Sequence, residues 1–273
     1  MNDGHARVTG TTLDFDTSVA HPARVYDAWL GGKDHFAADR AAAEQVMRTN
    51  PNIGPTVRTN RAFLVRAVRY LAAEAGIRQF LDLGTGLPSA NNVHEVAQSV
   101  APDAKVVYVD FDPIVLAHAR ALLTGTPGTV AYIQADLRDS SGILARATRM
   151  LDVHQPIAVM LLMTLQFVPD EDDPYGLVKT YMDAVPSGSY LVISHPASDG
   201  GAPAAVASKG TARYNELVAT KMTRRSREEV LRFFDGLEIL EPGLVPMAQW
   251  RPSPGDVVPK RLSPAHCAVA RKP

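Results

Sequence analysis

Gln79-Phe80-Leu81-Asp82-Leu83-Gly84-Thr85-Gly86 is an apolar run that ends in a Gly-x-Gly turn, and Val106-Val107-Tyr108-Val109-Asp110 is a second apolar run that ends in a carboxylate. Two short, nearly continuous apolar segments of this kind read as parallel strands covered on both faces. Glycines at 84 and 86 let the chain turn tightly and approach a ligand where a Cβ would clash. An acid about 20 residues beyond such a turn is placed to accept hydrogen bonds from both hydroxyls of a ribose. The pair therefore reads as a nucleoside-cofactor site at the carboxyl ends of neighbouring strands. A plain strand-helix-strand unit, with glycines that merely turn the chain, accounts less well for the two acids Asp110 and Asp112 after the second run.

The dinucleotide fingerprint places a third glycine where this chain has Ser89. The turn continues Leu87-Pro88-Ser89-Ala90-Asn91-Asn92, and no Arg or Lys lies between Gly86 and Lys105 to assist a diphosphate. A cofactor without phosphates fits better. Asp82, Gly84, Thr85 and Gly86 with Asp110 suit S-adenosylmethionine, its ribose on Asp110 and its methionine end against the turn. After the third strand, Asp136 is placed to accept the adenine amino group and the backbone of Leu137 to donate to the ring; helix capping by Asp136 is the competing reading.

Outward from this centre, Pro22 opens a helix predicted at Ala23–Leu30 and ended by Gly31-Gly32, a second runs from near Phe36 to Arg48 and stops before Pro51, and a third runs from Val57 to Ala75 with Phe63, Leu64, Ala67, Val68, Leu71 and Ala72 on one stripe at helical spacing. Strands are predicted at Phe80–Leu83, Lys105–Val109, Val130–Gln134, Ile157–Met163, Tyr190–Ser194, Leu237–Leu240 and His266–Ala270, alternating with helices from Asn91, Pro113, Ser140 and Pro174. Ala- and Gly-rich chain to about Gly210, then helices near 212–222 and 226–234, separate the fifth and sixth strands. The domain reading is a flexible lead over 1–21, an N-terminal helical lid over 22–76, and a cofactor-binding α/β domain over 77–273.

The 273 residues are 46% hydrophobic and 21% charged, with a net charge of −1. That balance fits one large domain and offers no field to attract nucleic acid. The longest apolar run, Ile157 to Leu165, is far short of the ~20 residues of a membrane helix, and the start of the chain lacks a signal-peptide core. A single cysteine, Cys267, reads as a small buried side chain. A cytoplasmic protein without nucleic-acid or membrane partners is the expectation, and a homodimer is allowed for.

Several segments together resemble a bacterial S-adenosyl methyltransferase family once known only as a domain of unknown function. They are Ala23-Arg24-Val25-Tyr26-Asp27, Leu30-Gly31-Gly32-Lys33-Asp34, Ala38-Asp39-Arg40, Asn60-Arg61-Ala62-Phe63-Leu64, Gln79 to Pro88, Asn92-Val93-His94-Glu95 and Val107 to Ala119. The resemblance covers most of the chain. It implies the class I methyltransferase fold, a Rossmann-like sheet of seven mostly parallel strands with an N-terminal helical extension, and S-adenosylmethionine as cofactor, but no settled methyl acceptor. The chain departs from the family pattern at His35 and Phe111, each in place of Asn, and at Gln166 in place of His. Phe111 is an apolar ring able to cover the adenine face; Gln166 removes a candidate general base.

The remaining candidates follow from position. Lys33, Asp34, Asn60 and Arg61 read as lid residues, with Arg61 or Lys33 near the methionine carboxylate and Asp34 or Asn60 near its amino group; surface ion pairs are the plainer alternative. His195 or Tyr26 is expected on the acceptor side, with Gln166 orienting the acceptor. His195 could equally be structural. Gly31-Gly32-Lys33-Asp34 lacks the earlier Gly and the final Ser or Thr of a phosphate loop; His94-Glu95-Val96-Ala97-Gln98 lacks the second His of a zinc-protease pattern, so His94 reads as a helix-surface or capping residue, and no metal-ligand spacing is present. Thr223-Arg224-Arg225-Ser226-Arg227 reads as a solvated, charged helix start. The function expected is methyl transfer to a small molecule. A non-catalytic cofactor-sensing protein is the first alternative, and an NAD(P)-dependent oxidoreductase, which lacks a Tyr-x-x-x-Lys pair after the fourth strand, the second.

Overall fold

The apolar runs become the strands of one sheet. The computed structural model describes residues 16–122, 128–199, 202–253 and 264–273. Helices α1 (Pro22–Leu30), α2 (Ala37–Thr49) and α3 (Ile53–Ala73) precede β1 (Gln79–Leu83). Then follow α4 (Val93–Gln98), β2 (Lys105–Asp110), α5 (Pro113–Leu122), β3 (Val130–Gln134), α6 (Ser140–Ala147), β4 (Ala158–Leu162), α7 (Pro174–Asp183) and β5 (Tyr190–Pro196). The chain continues through α8 (Ala202–Leu217), α9 (Arg227–Leu231), β6 (Glu238–Ile239), β7 (Val245–Pro246) and β8 (Ala265–Arg271). The sheet order is β3-β2-β1-β4-β5-β8-β6, with β7 beside β8. Strands β1 to β5 run parallel; β8 is antiparallel to β5, β6 and β7.

Strand alternation sends successive side chains to opposite faces, and each face has its own helical cover. Phe80, Val106, Met160 and Val192 pack with Phe63, Leu71 and Val96 of α3 and α4, whereas Leu81, Val107, Val159 and Leu191 pack with Ile143, Val178 and Phe233 on the other side. A third apolar cluster joins Val25, Trp29, Val46 and Val57 of the first three helices to Tyr214 and Val218. No helix among the described residues is long and apolar enough to cross a membrane. Cys267 is buried, and burial pushes its thiol well above the usual range.

Three expectations need correction. The sheet has eight strands and not seven, because Val245–Pro246 adds a two-residue pairing to β8. Helix α8 already begins at Ala202 and absorbs the Ala- and Gly-rich stretch read as loop, with alanine supplying the helix propensity. His94, read as a surface or capping residue, is buried: the Tyr108 hydroxyl lies 2.8 Å from both its backbone nitrogen and its Nδ1. Most of the lead expected over 1–21 lies outside the described residues. Its end is packed, since Ala20 is buried and the His21 backbone nitrogen donates to Asp39 at 2.8 Å.

β1 lies between β2 and β4, so strand order reverses there. In open parallel sheets the crevice beyond the carboxyl ends at such a reversal is where ligands bind.

Candidate active site

A cavity occupies that crevice, with ≈ 160 Å³ open to the centres of water molecules. It crosses the sheet from Asp110 and Phe111 after β2, past Asp82 to Gly86 after β1 and Met163 and Thr164 after β4, to Pro196 of β5 and Ala265 of β8. Helices α1, α2, α3 and α8 roof it with Tyr26, Trp29, Val46, Val57, Gly210 and Tyr214.

The β1–β2 end has the features of a nucleoside cradle. Gly84 has φ +75°, and a Cβ there would lie 2.4 Å from Thr164 Cγ2, so the turn depends on glycine. Gly86 has φ +69° and no heavy atom within 4 Å of where its Cβ would be, leaving that side of the turn open. Its N–H donates to Asp110 Oδ2 at 2.8 Å, while the Asp112 N–H donates to Oδ1 at 3.0 Å. Burial raises the Asp110 carboxyl, opposed by those two N–H donors. Asp82 takes a 2.7 Å hydrogen bond from the Thr85 hydroxyl; burial raises its pKa to about 6, which Thr85 and Arg61 partly offset. Phe111 is 46% exposed, so its ring face is available to a ligand. The His21 ring lies tilted against it, with centroids 4.7 Å apart, and pairs with Asp112 at 3.0 Å, tying the start of α1 to the end of β2.

A line of hydrogen bonds joins β5 to α3 and α1 in the roof. Ser194 Oγ donates to Asn60 Oδ1 at 2.7 Å, Asn60 Nδ2 donates to the Tyr26 hydroxyl at 2.9 Å, and that hydroxyl donates to the Val57 carbonyl at 3.3 Å. Met163 turns out of β4 with φ +52°, a conformation that strains a side-chain-bearing residue. This turn brings Gln166 to the cavity. Its Nε2 donates to the Met163 carbonyl at 2.7 Å, and its buried Oε1 has no partner.

Of the residues expected at the site, Asp82, Gly84, Thr85, Gly86, Asp110, Phe111, Leu137, Asn60, Arg61, Tyr26 and Gln166 all line the cavity. Arg61 also donates to the Ala90 and Asn91 carbonyls at 3.1 and 2.9 Å, bracing the turn after Gly86. Four expected residues lie elsewhere. Asp136 does not line the cavity, because Arg138 grips its carboxylate from Nε at 2.9 Å and Arg138 also reaches Asp172. Lys33 is exposed, and Asp34 lies 3.7 Å from His118 outside the cavity wall. The Gly31-Gly32-Lys33-Asp34 motif instead wraps Asp27, whose carboxylate takes the Asp34 N–H at 3.0 Å and His35 Nδ1 at 2.8 Å. A Cβ on Gly32 would lie 1.9 Å from that carboxylate.

His195 is the main correction. It is fully buried behind the wall, with Nδ1 donating to the Pro196 carbonyl at 2.9 Å and Nε2 accepting from Arg225 at 3.0 Å. Desolvation lowers its pKa to about 3, so it stays neutral and both nitrogens are committed. A base role needs a free nitrogen facing the acceptor, and this imidazole has none.

The charged turn at 223–227 is likewise not a solvated face. Arg225 is buried and binds Asp170, His195 and the carbonyls of Leu165 and Val168, which anchors the Gln166 turn. Arg224 lines the cavity, as do Ala207, Gly210 and Tyr214 of α8. The charged run lies between α8 and α9, and the Ala197–Arg225 bridge that brings it to the end of β5 is a tertiary contact with no local sequence signal.

A model of the S-adenosyl methyltransferase family matches residues 9–273. Among solved structures, a DUF574 family protein from Streptomyces avermitilis MA-4680 is 42% identical, with TM-score 0.89, covering 94% of this chain and 99% of that one. A candidate methyltransferase from Thermobifida fusca YX is 43% identical, with TM-score 0.88, covering 97% and 99%. Human N-acetylserotonin methyltransferase, solved in complex with S-adenosylmethionine, shares the fold at 14% identity and TM-score 0.50, covering 93% of this chain and 63% of that one. No match was found among curated proteins.

Proposed function

The chain belongs to the S-adenosyl methyltransferase family, and from that premise we propose that it transfers a methyl group to a small-molecule acceptor enclosed beneath its helical roof. The observation that carries this reading is the continuity of the cavity past the cofactor turn, over β4, β5 and β8, under α1, α2 and α8. A macromolecular acceptor needs an open face, whereas this half is covered by apolar side chains.

The cradle fits S-adenosylmethionine, which supplies an electrophilic methyl group on sulfonium. Asp110 would hold the ribose, Phe111 and Leu137 the adenine, and the open side of Gly86 the chain that follows. Asp82 would face the amino group of the methionine end and Arg61 its carboxylate. Placing a positive group beside Asp82 offsets the burial that keeps this carboxyl near pH 6.

Methyl transfer is an in-line displacement, so the protein's task is alignment and exclusion of water, which for a well-oriented pair is worth roughly 7–11 kcal/mol. Gln166 Oε1 would accept a hydrogen bond from the acceptor's O–H or N–H and orient it; the sulfur leaves as the neutral thioether S-adenosylhomocysteine, and the proton given up by the acceptor passes to solvent, since an amide cannot take it. Tyr26, held by Asn60, would contact the acceptor from the roof. Its hydroxyl is pushed up by burial, so it stays protonated and acts by hydrogen bonding. The first three helices and α8 would form the lid.

The test is incubation with methyl-labelled S-adenosylmethionine and an extract of the cells that make the protein, separated afterwards by size. Label in the small-molecule fraction is the expected result. Label confined to protein or nucleic acid contradicts it.

A further inference from the structure

Two adjacent arginines behave differently. Arg225 is fully engaged, as described above. Arg224 touches only carbonyl oxygens among the described residues: its Nη2 donates to Ala197 and, at 3.4 Å, to Pro264, while its buried Nε has no partner. Desolvation lowers its pKa to about 10, with Asp199 pulling the other way. A cation taken out of water without a paired anion is costly, and the cost is relieved when an anion binds.

The wall around it is otherwise apolar or neutral. Pro196, Ala207, Tyr214, Met222 and Ala265 share that end of the cavity, and Arg224 is the charged side chain among the described lining residues from β4 onward through β8. Asp27 also lines the cavity from α1, but its carboxylate is taken up by Asp34 and His35. Two more polar atoms there are buried and unpartnered, the Tyr214 hydroxyl and Gln166 Oε1. The set is therefore a cation and a hydroxyl on one side and a neutral acceptor at Gln166. The Thr223 N–H donates to the Gln166 carbonyl at 2.7 Å, so the Arg224 turn is joined to the Gln166 turn.

Because Arg224 is only partly buried, the observation that counts is its buried, unpartnered Nε beside the cavity, and from it we propose that Arg224 anchors an anionic group of the methyl acceptor, making the substrate class an apolar small-molecule acid that also carries a hydroxyl or amine. The anion, a carboxylate or comparable oxyanion, is bound by the Arg224 guanidinium with help from the Tyr214 hydroxyl, and the hydroxyl or amine donates to Gln166 Oε1. Arg61, at the cofactor turn, remains for the methionine carboxylate. This assignment rests on the small-acceptor reading above and narrows it.

The experiment fractionates the small-molecule extract on an anion exchanger before labelling. Each fraction is then incubated with methyl-labelled S-adenosylmethionine and the whole protein, either unaltered or as Arg224→Gln or Arg224→Lys. The acceptor should be retained by the exchanger. Arg224→Gln should raise the KM for that fraction at least tenfold with cofactor affinity unchanged, and Arg224→Lys should recover part of the loss. Acceptor activity that passes unretained overturns the inference alone, as does an unaltered KM in Arg224→Gln. Label in no small-molecule fraction overturns the small-acceptor reading and this inference with it. The fractionation needs no variant, so it decides the matter even if Arg224→Gln fails to fold.

Discussion

Asp82 and His195 are both buried, and burial drives them in opposite directions, to about 6 and about 3. For Asp82 the folded apoprotein holds a proton more tightly than the unfolded chain, so this group's contribution is present below about pH 4 and lost as pH rises through about 6. Asp82→Asn should therefore stabilise the apoprotein at pH 7, by about 2–3 kcal/mol, while weakening cofactor binding, and the gain should vanish below about pH 4. Denaturant unfolding of both proteins across that range checks the sign; a destabilised variant at pH 7 contradicts it. His195 runs the other way, since the unfolded chain binds the proton first and stability is lost as pH falls from about 6.5 towards 3. His195→Ala should lower Tm and flatten that acid loss while leaving turnover per folded molecule intact. A stable variant slowed by the 10²–10⁴ typical of a lost general base would return His195 to catalysis. The glycines and acids of the cradle were legible because turn chemistry is local. The positions of Asp136 and His195 were not, because Arg138 and Arg225 reach them through tertiary packing.

At the scale of elements, the roof depends on how closely α8 approaches the end of α2. A Cβ on Gly210 would lie 2.7 Å from Asn50 Cβ, so the glycine permits the contact. Gly210→Val should force the helices apart, destabilise the protein by about 1–3 kcal/mol, and raise the acceptor KM more than the Kd for S-adenosylmethionine. Equal losses in both, at constant fold, would detach α8 from the acceptor half of the cavity. The first helix was readable from Pro22 and the Gly31-Gly32 stop, and the third from its apolar stripe. α8 was not, because a run of alanines with Gly210 inside gives little contrast between its faces. The Leu-Gly-Gly-Lys-Asp motif drew attention as charge for a ligand. Its geometry shows a turn built around Asp27, with the charges of Lys33 and Asp34 left outside the cavity.

Over the whole molecule, the parallel sheet was legible because β1, β2, β4 and β5 are largely buried on both faces and therefore mostly apolar, their polar residues falling near the strand ends. Strand order was not, since which strand lies beside which depends on crossover packing that local pattern does not encode. That order matters to function: with β2 and β4 flanking β1, Asp82, Asp110 and the Gln166 turn open into one cavity, and with β5 and β8 beyond, the cavity extends to Arg224. The reading is an enzyme that binds S-adenosylmethionine between β1 and β2 and a small acid beyond β4. Its most direct test is a calorimetric titration of the intact protein and of Asp110→Ala with S-adenosylmethionine and with NAD. Charge-assisted hydrogen bonds of about 1.5–3 kcal/mol each imply that the variant binds S-adenosylmethionine roughly ten- to more than a hundredfold more weakly, and NAD should bind neither protein. Tight binding of NAD with none of S-adenosylmethionine, or an unchanged Kd for S-adenosylmethionine in a folded Asp110→Ala, would contradict the account.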